Sequence, residues 1–115
     1  MKEGDVALAV LPQANRGAKP RPVVLLKRMP LFGDWLVCGV STQLQHEVAG
    51  FDNVLAMTDA DFTQSGLKST SLIRLGFPVV LPVEQLIGRL GEISAERHSR
   101  LVRRLATLLN SSASS

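Results

Sequence analysis

The sequence predicts a mainly-β fold, a small β-barrel capped by one C-terminal α-helix. Three observations carry that expectation. Short apolar runs of β-type composition recur between residues 5 and 90, each cut off by glycine, proline or a polar stretch. One late segment switches to helical spacing, with Leu101, Leu105 and Leu108 at i, i+4 and i+7. The chain has 115 residues, 45% of them apolar, which suffices for one compact core.

Residues 5–11 read as a strand buried on both faces, because apolar and small side chains run through them. Residues 12–22 hold glycine and proline breaks together with Arg16, Lys19 and Arg21, and form a basic loop. A second strand over 23–27 is broken by 30–34, and a third follows over 35–40. Residues 41–51 are polar, and 53–57 hold a short strand. After a loop over 59–70, residues 71–75 alternate as a strand does. Pro78 and Pro82 assign the next stretch to an edge or a turn rather than a central strand, since proline lacks an N–H. Residues 87–90 are a last short strand. Ser94 N-caps the helix, with Glu96 in its positive first turn. Arg97, Arg100, Arg103 and Arg104 are read as a solvated face outside the leucine arc, and Asn110 ends the helix. The expected organisation is one domain over residues 1–110 and a flexible Ser-rich tail over 111–115. No internal repeat is visible.

Composition excludes several classes. The apolar content and 20% charged residues are wrong for a disordered chain. The single cysteine, Cys38, sits in an apolar run and is expected to be a buried structural thiol in an intracellular protein. Charge at Lys2, Glu3 and Asp5 leaves no signal peptide, and no apolar stretch is long enough to span a membrane. His46 and His98 lie far apart, so no metal cluster is expected; His98 is read as a half-covered helix histidine and His46 as a solvated loop residue. Asp59 and Asp61 are read as a solvated acidic pair. Ser65-Gly66-Leu67-Lys68 has the serine–lysine spacing of β-lactam-binding enzymes but lacks the companion motifs. There is no Gly-rich phosphate loop and no dinucleotide fingerprint. Four Phe, one Trp and no Tyr argue against an aromatic RNA platform of the RNA-recognition-motif kind.

The net charge of +3 hides an uneven distribution: residues 1–28 carry +4, residues 29–93 carry −4 and residues 94–115 carry +3. In the first segment, Arg21 stands between Pro20 and Pro22 just before an apolar strand. Its backbone is nearly fixed, which suits a phosphate clamp; a solvated arginine at a turn is the competing reading. Ser41-Thr42-Gln43 follows the third strand, where a hydroxyl reaches either a phosphate or a local backbone group. Arg74 lies inside the apolar run Ser71-Leu72-Ile73-Arg74-Leu75 and needs either solvent or a partner.

Taken together, three segments resemble the MazF/PemK toxins. They are Gly4-Asp5-Val6 opening a strand, Arg21-Pro22-Val23-Val24-Leu25 ending the basic loop, and Val40-Ser41-Thr42 closing the third strand. Gly66-Leu67-Lys68, Ser71-Leu72-Ile73-Arg74 and Ile87-Gly88-Arg89-Leu90 follow in the same order, so the resemblance runs from Gly4 to Leu109. It implies an SH3-like barrel with a C-terminal helix, usually a homodimer, acting in the cytoplasm without cofactor or metal. It also implies the toxin of a type II toxin–antitoxin system, an endoribonuclease cleaving single-stranded RNA at short sequences. A cognate antitoxin with a disordered segment lying in the toxin's groove is the implied partner. The family's catalytic arginine falls on Arg21, its hydroxyl residue on Ser41, and a further arginine on Arg74. Arg16, Lys19, Thr42 and Gln43 are the RNA contacts it suggests.

These residue types suit attack by a ribose 2′-oxygen on phosphorus, where charge builds on the phosphoryl oxygens. The sequence also departs from the family. Gly76 stands where some members carry an acidic residue two positions after the arginine, and a loop histidine of some members is replaced around Asn15. Two alternatives follow: a catalytically weak barrel that binds an antitoxin-like peptide or RNA, and a gyrase-directed toxin on the same fold.

Overall fold

A computed structural model describes residues 1–11 and 19–111. The elements in chain order are β1 (Asp5–Val10), β2 (Pro20–Arg28), β3 (Trp35–Ser41), β4 (Asn53–Leu55), α1 (Phe62–Ser65), β5 (Ser71–Leu81), β6 (Leu86–Glu92) and α2 (Ala95–Asn110). The six strands form one antiparallel sheet in the order β4-β5-β3-β2-β1-β6.

The mainly-β expectation holds. β2 starts at Pro20, three residues before the expected strand. Pro20 and Pro22 pair with β1, whereas pairing with β3 begins only at Val23, so both prolines sit where β2 has one neighbour. Strand alternation then divides the core. Val6, Val24, Leu26, Cys38, Ile73 and Leu75 pack on one face with Leu101 and Leu105 of α2. Ala7, Ala9, Val23, Leu25, Val37 and Trp35 pack on the other, with Leu81.

Three strands separate β5 from β6 in the sheet, yet a single 3₁₀ turn at Val83–Gln85 joins them. Leu81 and Leu86 accordingly meet in the second core cluster, and the sheet rolls into a barrel-like shape. The outer strands β4 and β6 are not hydrogen-bonded to each other. On the β6 side of that seam, α1 and the turn after it approach β6 at backbone distance. A Cβ on Gly91 of β6 would collide with the Gln64 carbonyl and with Ser65. A Cβ on Gly66, whose φ is +76°, would collide with the Leu90 carbonyl.

Pro78 lies within β5, but β3 is its one strand neighbour there, since β4 pairs only with residues 71–73. Pro82 follows the strand at the 3₁₀ turn, so the edge-or-turn reading holds. The register jumps from Cys38↔Pro78 to Gly39↔Arg74, which leaves Leu75, Gly76 and Phe77 unpaired with β3.

Two expectations are corrected on α2. Ser94 caps the helix as expected, its Oγ accepting the Arg97 N–H at 3.1 Å. Arg97, however, is buried. Its Nε and Nη2 donate to the Asp61 carboxylate at 2.9 and 3.0 Å, Nη2 donates to Asp59 at 2.9 Å, and Nη1 reaches Asn53 and the Val54 carbonyl. Arg97 is four residues before Leu101, on the buried stripe rather than outside it. Asp59 and Asp61 are thus its counter-charges, not a solvated pair. Arg104 is also engaged, donating to the Phe51 and Asp52 carbonyls at 3.1 and 2.9 Å. Arg100 pairs with Glu96 at 3.0 Å, and Arg103 is exposed.

His98 is half-buried, with Nε2 2.7 Å from the Leu26 carbonyl, while His46 is exposed on a 3₁₀ turn. Burial pushes the Cys38 thiol up to about 12, so it is an inert core group. Ser65 is buried and donates to the Phe62 carbonyl, which disposes of the serine–lysine motif.

Burial alone would raise the Asp61 carboxyl, but the hydrogen bonds from Arg97 and from the Ser94 N–H outweigh it and hold the group at about 2. The contribution is complete above the unfolded carboxylate value near pH 4 and disappears as the pH falls toward 2. On the order of 2 kcal/mol of stability is therefore lost across that window. Asp61→Asn should flatten this part of the pH–stability curve, measured by urea unfolding from pH 5 to pH 2. Arg97→Ala strands buried carboxylates and is expected to lower stability by about 3–5 kcal/mol at pH 7. Gly91→Ala, by forcing the seam apart, is expected to lose about 1–3 kcal/mol, and an unchanged urea midpoint would contradict the close approach.

Candidate functional site

Strand register brings the candidate residues together. Arg21, Val23 and Leu25 alternate onto one face of β2, where Val23 lies opposite Gly39 of β3. Continuing that antiparallel register by two residues places Arg21 across from Ser41. Gly39 is in turn opposite Arg74 of β5, and Ser41 is opposite Leu72. The face that carries Val23, Leu25 and Val37 in its interior therefore ends in Arg21, Ser41 and Arg74. Gly39 stands between them without a side chain, and the nearest atom to a Cβ placed there is Leu11 Cδ1 at 3.9 Å.

The result is a cleft of about 710 Å³, a size typical of ligand sites. Arg21, Arg74, Ser41, Thr42 and Gln43 line it from the sheet, and the turn from Gly66 to Ser69, with Lys68, lines it from the seam. Among its described lining residues there are three cations and no Asp or Glu, so its field favours an anionic ligand.

Each cation is held differently. Arg21 is exposed at the strand entry, its backbone constrained by the flanking prolines. Arg74 is half-buried, with Cζ 4.2 Å from the centroid of the Phe77 ring. Its Nε is buried without a hydrogen-bond partner among the described residues, a desolvated donor that an anion would satisfy. Lys68 is carried on a turn fixed by Gly66 against β6.

Ser41 Oγ accepts the Gln43 N–H at 3.0 Å, so the local-turn reading is realised and the hydroxyl proton is still available to donate. Thr42 and Gln43 are exposed, and Gln43 Oε1 accepts from Gln45 at 2.7 Å. Lys19 is exposed just before β2 and is not part of the cleft wall; Arg16 lies outside the described residues. Sequence reasoning did not select Lys68 or Phe77 as site residues. Gly66, two positions earlier and forced by its positive φ, was the available signal for Lys68.

Among the described residues, no group of three His, Cys, Asp or Glu side chains is arranged to hold a metal ion, and no helix is long and apolar enough to cross a membrane.

The solved structure of the Mycobacterium tuberculosis toxin MazF-mt6 superposes with a TM-score of 0.66 at 19% identity, covering 94% of this chain and 98% of that one. A likeness at that identity concerns the fold. No curated protein matches the sequence. The family model for the PemK-like, MazF-like toxin of type II toxin–antitoxin systems matches residues 2–109, nearly the whole chain. The chain therefore belongs to the PemK/MazF toxin family of type II toxin–antitoxin systems.

Proposed function

We propose that this toxin is a metal-independent endoribonuclease that cleaves single-stranded RNA at short sequences. The observation that carries the reading is the convergence of Arg21, Arg74 and Ser41 on one cleft with no carboxylate among its described lining residues, where the buried Arg74 Nε has no partner among the described residues. A phosphodiester brings the charge that such a cleft lacks.

In the proposed reaction the ribose 2′-oxygen attacks the adjacent phosphorus and the bond to the 5′-oxygen breaks. The products are a 2′,3′-cyclic phosphate and a 5′-hydroxyl, with the 2′-OH proton removed and one proton delivered to the leaving oxygen. Arg21 and Arg74 neutralise charge on the phosphoryl oxygens as it builds, and the Ser41 hydroxyl donates to one of them. Lys68 holds a neighbouring phosphate from the opposite wall. DNA lacks the nucleophile and is not a substrate. Thr42, Gln43, Lys19 and Arg16 are proposed to contact RNA flanking the cleaved bond. The partner is a cognate antitoxin, the site of action is the cytoplasm, and the working form is a homodimer. Exposed Val83, Ile87 and Leu109 supply apolar surface for such an interface.

A second reading has its own observation. No histidine or carboxylate lines the cleft among the described residues, and an arginine at its normal pKa is a poor base. A barrel that binds RNA or an antitoxin peptide without turnover needs neither group.

Incubation of single-stranded RNA with the protein in excess EDTA, followed by mapping of product ends, separates the two readings. The nuclease reading expects fragments ending in 2′,3′-cyclic phosphate. Arg21→Ala should lose about 10²–10³ in rate, as removal of a transition-state donor does. Its stability should stay within about 0.5 kcal/mol of wild type, because Arg21 is exposed. Ser41→Ala should lose a similar factor. Cleavage only with added metal, or full activity in Arg21→Ala, would overturn the mechanism; tight RNA binding with intact RNA would favour the second reading.

A further inference from the structure

Phe77 is the bulkiest apolar side chain on the cleft wall, and it is 63% exposed. It belongs to the three residues of β5 that find no partner on β3, so the bulge takes it out of the alternation that fills the core. Pro78 follows and confines Phe77 to extended backbone. The Arg74 guanidinium lies 4.2 Å from the ring centroid. The ring is thus restrained by its backbone and by a cation, and its exposure leaves it an open surface.

An exposed phenyl group held this way invites a ligand that is both anionic and planar. The cleft beside it carries Arg21, Lys68 and Arg74 with no described carboxylate. A single-stranded nucleic acid presents a phosphate and a flat base in every nucleotide, so it occupies the cations and the ring together. An acidic peptide matches the cations but brings a planar group to the ring only where an aromatic side chain happens to fall, whereas every nucleotide carries one.

We infer that Phe77 is a base-stacking subsite, taking the base of a nucleotide next to the phosphate held by Arg21 and Arg74. It governs how tightly single-stranded RNA is held rather than how fast the bond breaks. The inference rests on the RNA reading above, but not on turnover.

The test uses a fluorescein-labelled single-stranded RNA with 2′-O-methyl riboses throughout, which cannot be cleaved. Phe77→Ala and Phe77→Leu should each weaken binding by between about 5-fold and about 150-fold, the range for loss of one stacked base. Phe77→Trp should keep wild-type affinity, and the emission of the introduced indole should be quenched on RNA binding. Native Trp35 is only 2% exposed and gives a separate, unresponsive background. On cleavable RNA, Phe77→Leu should raise KM by the factor seen in binding and leave kcat within about twofold. Unchanged affinity in Phe77→Ala, or an unquenched indole at saturating RNA, would overturn the inference. Wild-type protein that binds this RNA but leaves the unmethylated RNA of the same sequence intact removes the nuclease reading and leaves the subsite standing. Wild-type protein that binds no single-stranded RNA removes both.

Discussion

Arg97 joins parts of the chain that the sheet alone does not hold together. Its guanidinium reaches Asp59 and Asp61 in the loop before α1, and Asn53 and the Val54 carbonyl on β4, from the first turn of α2. Asp61 also accepts the Ser94 N–H, and Asp59 accepts the Ala56 N–H at 2.8 Å, so the same carboxylates order both the helix start and the loop. A planar, permanently charged group with five donors suits this position, and lysine has no equivalent fork. The loop fixed in this way continues into the turn that carries Lys68, one wall of the cleft. A structural ion pair on the far element therefore bears on where a site cation stands.

The opposite wall depends on a different constraint, the two-residue period of strands. Once Val23 is paired with Gly39 and Gly39 with Arg74, the rows on either side are determined. Arg21, Ser41 and Arg74 then share a face because they share parity with the buried Val23, Leu25 and Val37. A one-residue slip of β2 would send Arg21 to the other face and would also exchange Val23 and Leu25 with Val24 and Leu26 between the two core clusters. Core burial and site geometry are consequently enforced by the same hydrogen-bonded register.

Much of this was readable from the residues. Apolar runs ended by proline and glycine located the strands, and Leu101 with Leu105 located the helix face. Arg21 was marked by its flanking prolines, and Arg74 by being charged within an apolar strand. What escaped depended on long-range pairing. The bulge at Gly76 and Phe77 arises from a length mismatch between β3 and β5, which no local pattern encodes, although Pro78 did mark the part of β5 that has one strand neighbour. The helix arginines were misread for a subtler reason. Arg97 lies one helical step from Leu101, but an acidic pair more than thirty residues away is needed to make its burial tolerable. With Arg97 and Arg104 engaged internally, the basic charge of the helix is no guide to a nucleic-acid face.

The unpaired seam between β4 and β6 has a dynamic consequence. No ladder of amide hydrogen bonds joins these two strands, and the close glycine approaches there run between α1 with its following turn and β6. Cooperative units in a protein divide where such ladders are missing. Amide protons of β1, β2 and β3 would thus exchange only in global opening, whereas those flanking the seam exchange through a smaller, sub-global excursion. The cleft borders that boundary, so one of its walls belongs to the slow-exchanging unit and the other to the fast one.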